Sequence, residues 1–124
     1  MLKKFIFSLT AIIALSLVVM AQDKSTTLEG YVVDKACANG KVAKASDPAA
    51  AAANQPKGCI LMKNCFESGV GIYSNGKFIE FDEKGKTLAK AALDKSKKDK
   101  GIKFKVTGKV TGDKIAVDNI AEVE

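Results

Sequence analysis

The run VGIYSNGKFIEFD, residues 70–82, carries the clearest structural signal in the chain. Two β-patterned segments, Val70 to Ser74 and Lys77 to Asp82, flank the dipeptide Asn75-Gly76. Both central residues of a type I′ turn need φ > 0, which Asn and Gly tolerate best, so the spacing predicts a tight hairpin. On its C-terminal side, Thr87 to Lys98 places Leu88, Ala91 and Ala92 at helical spacing, with lysines near the end where the helix dipole favours cations and Gly101 beyond. Ile102, Phe104 and Val106 then alternate with Lys103, Lys105 and Thr107. After the turn residues Thr111-Gly112-Asp113 the alternation resumes over Lys114 to Val117, giving a second hairpin.

On the N-terminal side, Thr26 to Asp34 is strand-like, with Leu28, Gly30 and Val32 on one face and Tyr31 and Val33 on the other. Gly30 inside this strand predicts a bulge or bend. The segment Lys35 to Gly69 differs in character. It holds all three cysteines, an alanine tract and both prolines, and reads as an insertion between strands. Asp47-Pro48 ahead of Ala49 to Ala53 supplies an N-cap and an N1 proline for a short helix, with a mobile linker as the other reading. A second helix is expected over Cys59 to Ser68, ending at Gly69. The resulting order is strand, cysteine-bearing insertion 35–69, strand, strand, helix, strand, strand. That order predicts a mainly β domain: a small five-stranded OB-fold-like barrel with one helix between strands 3 and 4.

Residues 1–21 read as a cleavable signal peptide, with Lys3 and Lys4, an apolar stretch from Phe5 to Met20, and Val19 and Ala21 at the −3 and −1 positions. The expectation is a periplasmic or secreted protein, with no membrane span after cleavage and a single domain over 22–124. The net charge is +6, two of the positive charges lie in the signal peptide, and every positive residue is Lys. Arg is favoured for bidentate contacts to phosphate and guanine, so its absence argues against nucleic acid as a partner. There is no His, which removes the commonest general base and the commonest metal ligand. A non-catalytic protein follows, with a ligand or envelope partner that the residues do not identify.

The pattern Gly30-x-Val32-x-Asp34-x-x-Cys37, followed by Cys59-x5-Cys65-x2-Ser68-Gly69 and by Gly76-Lys77-Phe78 at the hairpin exit, resembles a group of small exported bacterial OB-fold-like domains of unassigned function. The resemblance implies export and that fold, and no activity. In similar sequences a His often stands four residues before the Cys pair, where this chain has Gln55.

Cys37, Cys59 and Cys65 carry the unusual chemistry. In an oxidising compartment the plainest reading is one disulfide stapling the insertion, with one thiol left over. In the chain-entropy model such a bridge stabilises by about 3 to 4 kcal/mol. If Cys59 to Cys65 is one helix, the two Cα atoms stand about 9 Å apart, too far to bridge each other, so Cys37 would pair with one of them; if it is a loop, Cys59 and Cys65 can bridge each other and leave Cys37 alone. The function expected on this reading is a disulfide-stapled binding or envelope-maintenance module without a cofactor. The alternative adds Met62: Cys59, Met62 and Cys65 fall on one helical stripe that can face Cys37, a sulfur-only set suited to copper as Cu(I), or to thiol redox chemistry. Among the aromatics on expected strands, Tyr31 and Tyr73 are candidates for a stacking face, whereas most of Phe78, Phe81 and Phe104 must be core. Lys97, Lys98 and Lys100 read as a solvated helix end.

Overall fold

The computed structural model describes residues 25–123; the expected signal peptide, residues 1–21, lies outside them. In chain order the elements are β1 (Thr26–Asp34), α1 (Lys35–Cys37) running into a π-helical turn (Ala38–Val42), α2 (Pro48–Ala53), α3 (Lys57–Ile60), α4 (Lys63–Ser68), β2 (Val70–Ser74), β3 (Lys77–Phe81), α5 (Glu83–Lys95), β4 (Lys103–Thr111) and β5 (Lys114–Glu122). No helix among the described residues is long and apolar enough to cross a membrane.

The β2–β3 hairpin turns where expected. Asn75 has φ 51° and Gly76 φ 77°, the pair of positive values that a type I′ turn requires, and Ser74 pairs with Lys77 across it. The strands form one mixed sheet in the order β1-β2-β3-β5-β4, which closes because β4 pairs back onto β1. All pairings are antiparallel except β3 with β5, which is parallel through Glu80↔Lys114 and Phe81↔Ile115. The interior holds Val32, Ile72, Phe81, Phe104, Val106, Ile115 and Val117, one alternate set from each strand. Gly30 marks a close approach: a Cβ there would lie 2.0 Å from the Tyr73 carbonyl oxygen of β2. A bulge falls instead on β4–β5, at Thr107/Gly108.

Helix α5 begins four residues earlier than the apolar spacing indicates. Asp82 caps it, its carboxylate accepting from Gly85 N–H at 2.9 Å, and the buried stripe is Gly85, Ala89 and Leu93, whereas Ala91 is exposed.

The fold class expected from the sequence is corrected. Of the described residues, 39% are helical and 37% are in strands, with five α-helices where at most three were expected, so the chain is mixed α/β and not a mainly β OB-fold-like barrel. The resemblance that implied that class loses its support with it. The physical reason lies in the segment 35–69. It is helical for most of its length, and it packs on the outer face of β1 as a second small core of Val33, Ala38, Val42 and Ala52. Both faces of β1 are thereby buried, Val32 inward and Val33 under the helices.

Candidate functional site

The end of β1 sets the site. Asp34 is 0% exposed, and it caps α1 by accepting from the Cys37 backbone N–H at 3.0 Å. Its other oxygen accepts from Gln55 Nε2 at 2.6 Å. A buried polar group must find such partners, and here they bring the loop after α2 onto the start of α1. From the other side, Lys35 N–H donates to the Gly69 carbonyl at 2.8 Å and Ala36 N–H to Ser68 Oγ at 3.3 Å, while Ser68 Oγ donates to the Cys65 carbonyl at 2.6 Å. The C-terminal end of α4 is thus tied to α1, and Cys65 is carried toward Cys37. Lys35 reaches across to Glu80 of β3 at 3.2 Å, anchoring the same corner to the sheet.

The helix expected over Cys59 to Ser68 is two helices. Met62 adopts an extended backbone (φ −57°, ψ 136°) between α3 and α4, and the second piece ends at Gly69, with φ 125°. The stripe geometry fails, yet the four sulfur side chains still converge. Cys37, Cys59, Met62 and Cys65 all line one cavity of about 400 Å³, together with Lys41, Val42, Ala51, Asn54, Gln55 and Pro56. Cys37 and Cys65 are partly buried, Cys59 is exposed, and Met62 is 56% exposed at the lip. Among the described residues no group of three or more His, Cys, Asp or Glu side chains is placed to hold a metal ion, so any centre here rests on a thiol pair supplemented by the thioether.

No disulfide joins the three cysteines, which corrects the expected stapled module. Hydrogen bonds and packing do the stapling. Lys57 N–H donates to the Asp99 carbonyl at 2.7 Å, Gly101 N–H to the Ala53 carbonyl at 2.8 Å, and Lys57 Nζ to the Ser96 carbonyl at 2.6 Å. These contacts tie the middle of the segment to the loop after α5, and the contacts of α1 with α4 hold its two ends.

Burial pushes the Cys37 thiol up, and the Asp34 carboxylate, through its charge and a hydrogen bond, and the nearby Cys65 push it further the same way. A hydrogen bond from Gln55 opposes them. A raised thiol is the reverse of what a nucleophilic cysteine needs, and neither His nor Arg is present to lower it. Tyr31 and Tyr73 face each other across β1 and β2 and are half-buried against the second core. Lys97, Lys98 and Lys100 are exposed.

Three contributors were not read as site residues. Asp34 entered only as part of a strand motif, Gln55 only as the place of a missing His, and Lys41 not at all. A carboxylate closing an apolar strand was the available signal for the first. Comparison with known proteins finds no matching family model, no similar curated protein and no similar solved structure.

Proposed function

We propose that this is a soft-metal binding protein that holds Cu(I) through Cys37 and Cys65, with Cys59 and Met62 at the mouth of the cavity. One observation carries the reading: every sulfur-bearing side chain among the described residues lines the same cavity. Thiolate and thioether ligands select Cu(I) over hard cations, and Cu(I) accepts two thiolates, the number that the partly buried pair supplies. Zinc would ask for a closed set of four N/S ligands, and the chain has no His to complete one. The raised Cys37 thiol fits the same reading. Burial and the negative charge of Asp34 and Cys65 hold the Cys37 thiol up, and a bound cation would reverse that balance and take it up as a thiolate. Taken with the signal peptide expected over residues 1–21, the place of action is the periplasm or the exterior.

Anaerobic titration with Cu(I) against a chromophoric chelator tests the reading. One tightly held Cu(I) per chain is expected, with loss of that binding in Cys37→Ala/Cys65→Ala and a weaker complex in Cys59→Ala or Met62→Ala. Undiminished binding in the Cys37/Cys65 double variant would overturn it.

A further inference from the structure

The cavity is far larger than an ion requires. About 400 Å³ lies within the range of pockets that enclose organic ligands, whereas a metal with sulfur ligands needs bonds of only about 2.3 Å. Its lining is also that of an organic pocket. Val42, Ala51 and Pro56 give apolar wall, the Asn54 and Gln55 amides give hydrogen-bonding groups, and Lys41 gives one positive charge with no carboxylate among the lining residues. Lys41 is exposed and makes no ion pair among the described residues, so its charge is available to an incoming group. Asp34, the nearest buried carboxylate on this corner, has its two oxygens engaged by Cys37 N–H and Gln55 and does not line the cavity.

We propose that the cavity receives copper as a complex with an anionic low-molecular-weight thiol, whose organic part fills the apolar wall and whose carboxylate meets Lys41. The inference rests on the Cu(I) reading above and names the form in which the metal arrives. The step is ligand exchange. A bond from copper to the carrier sulfur breaks, a bond from copper to a cysteine Sγ forms, and the cysteine proton passes to the departing thiolate. Copper stays Cu(I), and no electron is transferred. Repetition at the second cysteine releases a second carrier thiol.

The test is the anaerobic rate of copper loading from two carriers, the Cu(I) complex of mercaptosuccinate, which is anionic, and that of 2-mercaptoethanol, which is not. Loading at low ionic strength is expected to be at least about tenfold faster from the mercaptosuccinate complex, the lower end of electrostatic steering. Lys41→Glu is expected to lose that preference. In the wild-type protein the preference is expected to collapse in about 0.5 M salt, where screening shortens the reach of Lys41 to a few Å. Equal rates from the two carriers, or a preference that survives either salt or Lys41→Glu, would overturn the inference and leave the Cu(I) reading standing. Failure to load from both carriers would overturn both.

Discussion

Removing the Asp34 carboxylate should unlock the corner on which the cavity is built. Asp34→Ala leaves two donors without their acceptor, the Cys37 backbone N–H now bonded at 3.0 Å and Gln55 Nε2 at 2.6 Å. A buried donor stripped of its partner costs about 1–3 kcal/mol, so the pair costs about 2–6 kcal/mol. Alanine also relieves the burial of a carboxylate that has no ion-pair partner among the described residues, which draws the net loss toward about 2–4 kcal/mol. With a urea m-value of about 2 kcal/mol/M for a domain of this size, the midpoint should fall by about 1–2 M at pH 7. Asp34→Asn keeps one acceptor oxygen and presents an NH2 to the second donor, so it should fall in between. Alkylation of Cys37, followed by peptide mass spectrometry under native conditions, should accelerate in Asp34→Ala as α1 loses its cap. A midpoint within about 0.3 M of wild type would mean that the carboxylate is not the anchor of α1 and Gln55, and the account of the site would fail at its base.

Gly76→Val should cost about 1–3 kcal/mol, read as a lowered thermal midpoint, because a β-branched residue is strained at the φ of 77° that the turn requires; unchanged unfolding would refute the turn assignment. Gly30→Ala should cost at least about 1–3 kcal/mol, since the new Cβ would stand 2.0 Å from the Tyr73 carbonyl oxygen and β1 must move away from β2; denaturant melting at wild-type strength would contradict the close approach. Stability should also depend on pH through Cys37, whose thiol burial holds above the ordinary range. Below that range both states carry the proton and the contribution is whole; as pH rises through it the unfolded chain ionises first, so the wild-type advantage over Cys37→Ala shrinks. A gap between the two urea midpoints that stays constant from pH 7 to about pH 10 would count against a buried Cys37 thiol.

The hairpins were legible because their cause is local. Asn75-Gly76 meets a φ requirement that few other pairs meet, and the alternation from Ile102 to Val106 is the pleat of β4 written out residue by residue. The helical segment was not, because its helices have no cause of their own. α1 to α4 run to six residues at most, shorter than any helix that stands alone in water. They exist because Asp34 and Asp47 cap two of them, and because Val33, on the outer face of β1, gives Ala38, Val42 and Ala52 something to cover. Tyr31 and Tyr73 lie half-buried against this second core. One sign of it was in view. β1 reads Tyr31-Val32-Val33, apolar on both faces, and a strand buried on both sides needs a second layer that only the segment 35–69 was left to supply.

In the sulfur cluster the local reading fails at one residue, Met62. A continuous helix from Cys59 to Cys65 would have lined up Cys59, Met62 and Cys65 on one stripe, but Met62 is where the backbone turns extended and the helix breaks. The break does not scatter the sulfurs. It folds α4 back so that Ser68 and Gly69 can bond α1, which brings Cys65 toward Cys37, while α3, held by Lys57 to Asp99 and Ser96, keeps Cys59 on the lining of the same cavity. A rigid helix would have fixed the spacing of its three sulfurs at helical intervals. Two short helices joined at an exposed methionine place Cys59 and Met62 on the same cavity as Cys37 and Cys65. Met62, at the join, is therefore where the proposed soft metal site would gain an outer ligand, and Met62→Leu, which keeps an apolar side chain of similar size and removes the thioether, should weaken Cu(I) retention while leaving the fold and the Cys37–Cys65 corner intact. A Met62→Leu protein that is well folded and holds Cu(I) as tightly as wild type would take the thioether out of the site.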